Sequence, residues 1–135
     1  MDLSQVDLKS RNFDALHCTD AFGQFYILIN IKHKNAPAEA IASLLSHEVI
    51  HQNPSSSIEE ETVAWANEAI SWIYFKKQNP ELNNFDPNRY PLVRRLNRIE
   101  KMYKDAGYTA KEIKLSVASN PGYKNLPQYS KGFGI

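Results

Sequence analysis

The amino-acid sequence predicts a small, helix-rich α+β domain with a short strand or hairpin ahead of its first helix. Three observations predict it. A β-branched and aromatic run, Gln24-Phe25-Tyr26-Ile27-Leu28-Ile29-Asn30-Ile31, precedes a stretch in which apolar residues recur at helical spacing. Asn53-Pro54, Asn79-Pro80 and Asn120-Pro121 divide that stretch into helix-sized blocks. A chain of 135 residues has room for one core, so a single domain over 1–135 is expected.

In chain order, residues 1–12 are polar and expected to be loosely held. The run Gln24 to Ile31, bounded by Gly23 and by Lys32-His33-Lys34-Asn35, reads as a well-buried strand, with Phe13 to Cys18 a weaker second one. A first helix is expected from Pro37, tolerated in a first turn, through His51. At about 100° per residue, Ile41, Leu45 and Val49 share one side, and Ala40, Ser43, His47 and His51 another. Ser57 with Glu60 fits a capping box opening a second helix that runs to about Lys77, with Ile58, Thr62, Ala69 and Ile73 facing the core. A third helix is predicted over Pro87 to Asp105, burying Leu92, Leu96, Ile99 and Tyr103, with Gly107 past its end. Thr109 can cap a fourth helix to about Ala118, and 120–135, with its prolines and glycines, reads as irregular.

Composition narrows the function. Apolar residues make up 42% and charged residues 23%, ordinary for a globular protein. Sixteen basic against fifteen acidic residues leave a net charge of +1, so no nucleic-acid partner is expected. No apolar run approaches the length of a membrane span. The lone cysteine, Cys18, excludes an internal disulfide or a multi-cysteine metal cluster and reads as a small buried hydrophobe. Met1 to Gln5 has neither a basic nor an apolar leader region, which favours the cytoplasm.

The chemistry-bearing feature is His47-Glu48-Val49-Ile50-His51, an H-E-x-x-H pattern. Imidazoles four residues apart on a helix stand one above the other and can reach one Zn²⁺, while the glutamate between them can touch a water on that ion. A catalytic zinc needs three protein ligands and one open position. Glu61 is the expected third ligand. It projects with Trp65, Glu68 and Trp72, and a carboxylate aimed among tryptophans is costly unless paired or metal-bound. Glu60 is the second choice, since it projects with Asn67 and Ser71 on a polar side and can serve the capping box. Glu68, two turns beyond Glu61, can back a ligating histidine's second nitrogen or pair with a buried arginine.

His47-Glu48-Val49-Ile50-His51 followed by Glu61-Thr62-Val63-Ala64 resembles the H-E-x-x-H … E-x-x-A arrangement of gluzincin zinc metallopeptidases, and the short chain resembles their minimal members, the minigluzincins. The likeness covers roughly residues 24–77. It implies a zincin-like fold, one Zn²⁺ held by His47, His51 and Glu61, and Glu48 as general base and acid. It further implies a peptide or protein substrate extended along the strand Gln24 to Ile31. Two departures stand out: only nine residues separate His51 from Glu61, and Trp65 occupies a position often filled by Asp or Asn.

Other residues have plainer roles. A peptidase needs a donor for the oxyanion, and Tyr90, Tyr103, Tyr123 and Tyr129 all follow the motif. Arg94, Arg95, Arg98, Lys101 and Lys104 read as a solvated face of the third helix. The rival to a peptidase is a non-catalytic zinc-binding or regulatory domain that keeps the same fold.

Overall fold

A computed structural model describes residues 13–51 and 56–134. The chain runs β1 (Ala15–Thr19), β2 (Phe25–Ile29), α1 (Ala38–Glu48), α2 (Ile58–Gln78), α3 (Pro91–Asp105) and α4 (Lys111–Ser119), with short 3₁₀ turns at Ile31–His33 and Pro80–Asn84. This is the expected helix-rich α+β arrangement, with an antiparallel hairpin ahead of the helices. The expectations for residues 1–12 and for the helix stop at Asn53-Pro54 lie outside the described residues.

In the hairpin, Ala15 pairs with Ile29 and Thr19 with Phe25. Asp20 closes the turn by accepting from the amides of Phe22 and Gln24, at 2.8 and 3.0 Å, and Gly23 supplies a φ of +79°. The second strand is shorter and more exposed than the sequence predicts. It stops at Ile29, and Phe25, Tyr26 and Ile29 remain exposed. No third strand covers it among the described residues. Asn30 ends it by accepting from Lys32 N, which starts the 3₁₀ turn.

α1 also ends early, at Glu48 rather than at His51. The amides of Ile50 and His51 turn to the carbonyls of His47 and Glu48, three residues back, tightening the last turn. Its buried face is the one with small residues: Ala40, Ser43, Leu44 and His47 are buried, while Ile41 and Leu45 are half-buried and Val49 is exposed. Small side chains let α2 approach closely, and Asn67 Nδ2 donates to the Ser46 carbonyl at 2.8 Å across that contact.

α2 is the central element, packed against α1, α3 and α4. Ser57 caps it, its Oγ accepting from Glu60 N at 3.1 Å. The reciprocal half of the capping box does not form, and the Glu60 carboxylate has no hydrogen-bond partner among the described residues. One apolar cluster gathers Ala40, Leu44, Trp72, Leu92 and Leu96; a second gathers Ile58, Trp65, Ala69, Ile99 and Ile113.

α3 begins at Pro91 and not at Pro87. A helix starting at Pro87 would carry Pro91 past its first turn, where the missing N–H breaks the ladder. Asp86 to Tyr90 instead form a separate turn, with Asn88 N donating to Asp86 Oδ1. Past its end, Gly107 (φ +70°) donates to the Lys104 carbonyl and Tyr108 to that of Tyr103, a Schellman closure. The 120–134 segment is irregular and folds back, its Pro127 and Gln128 carbonyls accepting from Ile58 N and Glu59 N.

Candidate metal centre

The end of α1 and the first turn of α2 bring His47, His51 and Glu61 together. One ligand atom from each lies within 4.8 Å of the others, a group that can hold a metal ion. His47 Nε2 and His51 Nε2 face each other at 3.2 Å; Glu61 Oε1 is 3.3 Å from His51 Nε2, and Glu61 Oε2 is 3.6 Å from His47 Nε2. His47 and Glu61 are buried and His51 half-buried. Ser56 Oγ donates to Glu61 Oε1 at 3.3 Å, while Oε2 is buried with no hydrogen-bond partner. Such an atom is costly unless a cation or proton meets it.

Glu48 is buried, with Oε1 4.0 Å from His47 Nε2, on the side where the three ligand atoms converge. Glu60 stays out of that cluster. It is 1% exposed rather than on a polar face. Its Oε1 lies 3.9 Å from His51 Nδ1, behind the ring. Glu68, wholly buried, sits behind His47, its Oε1 3.1 Å from Nδ1 but off the line of a straight hydrogen bond. Each imidazole thus has a carboxylate at its back.

Of the two readings the sequence left open for Glu68, pairing with a buried arginine is the one that forms; the carboxylate lies close to His47 Nδ1 without a hydrogen bond to it. Arg95 donates to Glu68 twice, Nε to Oε2 at 2.8 Å and Nη2 to Oε1 at 2.9 Å. A third donor, Nη1, reaches Asp14 Oδ2 at 2.9 Å, and Asp14 Oδ1 accepts from His33 Nε2 at 2.7 Å. Arg95 therefore leaves the solvated face predicted for it, whereas Arg94, Arg98, Lys101 and Lys104 are exposed. A continuous line of polar side chains runs from His33 through Asp14, Arg95 and Glu68 to His47.

The electrostatics follow from this crowding. Burial opposes a charge on His47, yet Glu61 and Glu68 push its pKa up to about 9. Burial raises Glu48 and lowers His51. Glu61 is held below the usual range, because the two histidines outweigh its burial. Burial raises Glu60, which lacks a compensating cation. Cys18 is buried and its thiol is pushed up by burial, as suits a packing residue.

A cleft of about 380 Å³ opens beside the centre, lined by His47, Glu48, Trp65, Arg98, Tyr123 and the Phe13–Leu16 segment. Its strand wall is therefore β1, and not the Gln24 to Ile31 run expected to edge it. Among the tyrosines left open by the sequence, Tyr123 is the one that lines this cleft; burial and the neighbouring Glu61 push its pKa up to about 12. No helix is long and apolar enough to cross a membrane among the described residues. No family model, curated protein or solved structure matches the chain.

Proposed function

We propose that the protein is a zinc-dependent metallopeptidase of gluzincin type, with His47, His51 and Glu61 holding the ion and Glu48 activating water. The observation that carries this reading is the convergence of two imidazole Nε2 atoms and one carboxylate, with a separate buried carboxylate 4.0 Å from His47 Nε2. Two nitrogens and one oxygen suit zinc and leave a coordination position open. The orphaned Glu61 Oε2 gains a partner when a cation binds.

A zinc ion there supplies Lewis-acid polarisation of a carbonyl and a water acidified toward neutrality. The chain's own residues do the rest. Glu48, whose burial raises its proton affinity, takes a proton from the attacking water and returns it to the leaving amine. Tyr123, with its hydroxyl protonated at neutral pH, is the cleft's donor for the developing oxyanion. Glu68 and Glu60 stand behind the two imidazoles, 3.1 and 3.9 Å from the nitrogens that would face away from the ion, where a carboxylate favours ligation through the other nitrogen. An extended peptide fits a cleft with residues of β1, Ala15 and Leu16, on one wall.

The test is hydrolysis of a peptide library and of a denatured protein by the zinc-loaded chain. Activity that disappears in Glu48→Gln while one equivalent of zinc remains supports the peptidase. Inactivity of the zinc-loaded wild type favours the non-catalytic zinc-binding domain instead.

A further inference from the structure

A second cavity, of about 170 Å³, lies between the Ile31–His33 turn and the start of α3, and it shares no lining residue with the cleft beside His47. Three features of its wall favour a negatively charged ligand. The first is the open start of α3. Tyr90 at the N-cap makes no side-chain capping bond and Pro91 fills the first helical position, so the amides of Leu92 and Val93 lack a side-chain cap although both residues are fully buried. Those N–H groups and the helix dipole present partial positive charge at this end.

The second feature is His33, which lines the same cavity and is only 2% exposed. Its Nε2 is committed to Asp14 at 2.7 Å, while its Nδ1 is buried without a hydrogen-bond partner. Nδ1 is therefore the ring atom left for an occupant of the cavity, able to accept from a protonated phosphate oxygen when the ring is neutral and to donate to an ionised one when it is charged. The third is Arg89, which lines the cavity with no acidic partner among the described residues and rests its guanidinium 5.5 Å from the centroid of the Tyr90 ring. Lys32 adds an ammonium beside Asp14.

We propose that this cavity binds a phosphate group. The open helix start, the Arg89 guanidinium and the Lys32 ammonium put several N–H donors on one wall, and a phosphate, with four oxygens, can use more of them than a planar carboxylate can. The site is independent of the metal reading, and its test is run on metal-free protein because phosphate also ligates zinc.

Inorganic phosphate is titrated against sodium chloride of equal ionic strength, and against acetate, while NMR follows the Arg89, Leu92 and Val93 amides and the His33 ring. The expected result is a saturable single-site shift with phosphate, at least tenfold weaker with acetate. Arg89→Ala should weaken phosphate binding about tenfold, as for loss of one charge-assisted contact, and Arg89→Glu should abolish it. Arg89 is exposed, so an unchanged amide spectrum elsewhere confirms that these variants fold. Equal shifts with chloride, acetate binding as tight as phosphate, or unchanged affinity in Arg89→Glu would each overturn the proposal.

Discussion

Arg95 and Glu68 form a two-point pair, with contacts of 2.8 and 2.9 Å, directly behind His47. Glu68 Oε1 lies 3.1 Å from His47 Nδ1, so the pair places a negative charge behind the ring. Glu68 is wholly buried, so its charge is tolerable only because the guanidinium meets both oxygens. Arg95 also holds Asp14, two residues before the end of the cleft-lining Phe13–Leu16 segment, so one side chain ties the hairpin to the back of the candidate metal centre.

Removing the guanidinium should therefore cost more than its partial exposure implies. Arg95→Ala is expected to destabilise the fold by about 3 kcal/mol or more, because it strands a buried carboxylate. Glu68→Gln keeps a hydrogen-bonding group and is expected to fold, with zinc affinity lowered about tenfold or more. Denaturant unfolding and competitive zinc titration measure the two effects.

Glu60 and Glu61 should separate sharply in zinc binding. Glu61 has one oxygen toward each imidazole, whereas Glu60 stands 3.9 Å behind His51. Glu61→Ala should weaken zinc by roughly a hundredfold or more, and Glu60→Ala by about tenfold or less, the range for a group behind the ligands. The reverse order in a chelator competition would exchange their roles.

Zinc uptake should release a proton. In the metal-free protein His47 titrates at about 9, raised from 6.5, so it is charged at pH 7, whereas His51, lowered by burial, is neutral there. Its ion pairs stabilise the metal-free fold fully below about 6.5 and fade as pH rises through about 9. Apparent zinc affinity should accordingly fall about tenfold for each pH unit below that upper value until other groups protonate. Calorimetry in buffers of differing ionisation enthalpy counts the proton; a count of zero at pH 7 contradicts the coupling.

Asp14 gives an acid signature of opposite sign. Its carboxyl is partly desolvated, but His33, Arg95 and Lys32 lower its pKa from 3.8 to about 2. That depression contributes about 2 kcal/mol above the upper value, and the contribution is lost as pH falls toward the lower. Asp14→Asn should lower stability at neutral pH and flatten the loss between those two values, measured by denaturant midpoints across the acid range.

The candidate metal-holding group is legible in the sequence where local periodicity governs it. His47, Glu48 and His51 lie within five residues, and Glu61 and Glu68 are two helical turns apart, so a helical wheel aims both inward. What escaped it depends on distant pairing. Asp14 and Arg95 are 81 residues apart, and nothing local distinguishes Arg95 from Arg94 or Arg98. Glu60 falls on a polar side of the helical wheel with Asn67 and Ser71 yet is buried, because a wheel does not report what packs over a helix end. The strand beside the cleft was misjudged because hydrophobicity favoured Phe25 to Ile29, while packing placed the weaker β1 against α1. Helix ends went wrong at Pro87 and His51, where competing turn hydrogen bonds decided the outcome.

The most direct measurement is anomalous diffraction at the zinc edge from crystals soaked in zinc. The expected result is one strong peak within bonding distance of His47 Nε2, His51 Nε2 and a Glu61 oxygen, with no peak there in a crystal of His47→Ala. A peak that leaves out Glu61 or either imidazole, or none between them at full soak, would contradict the centre.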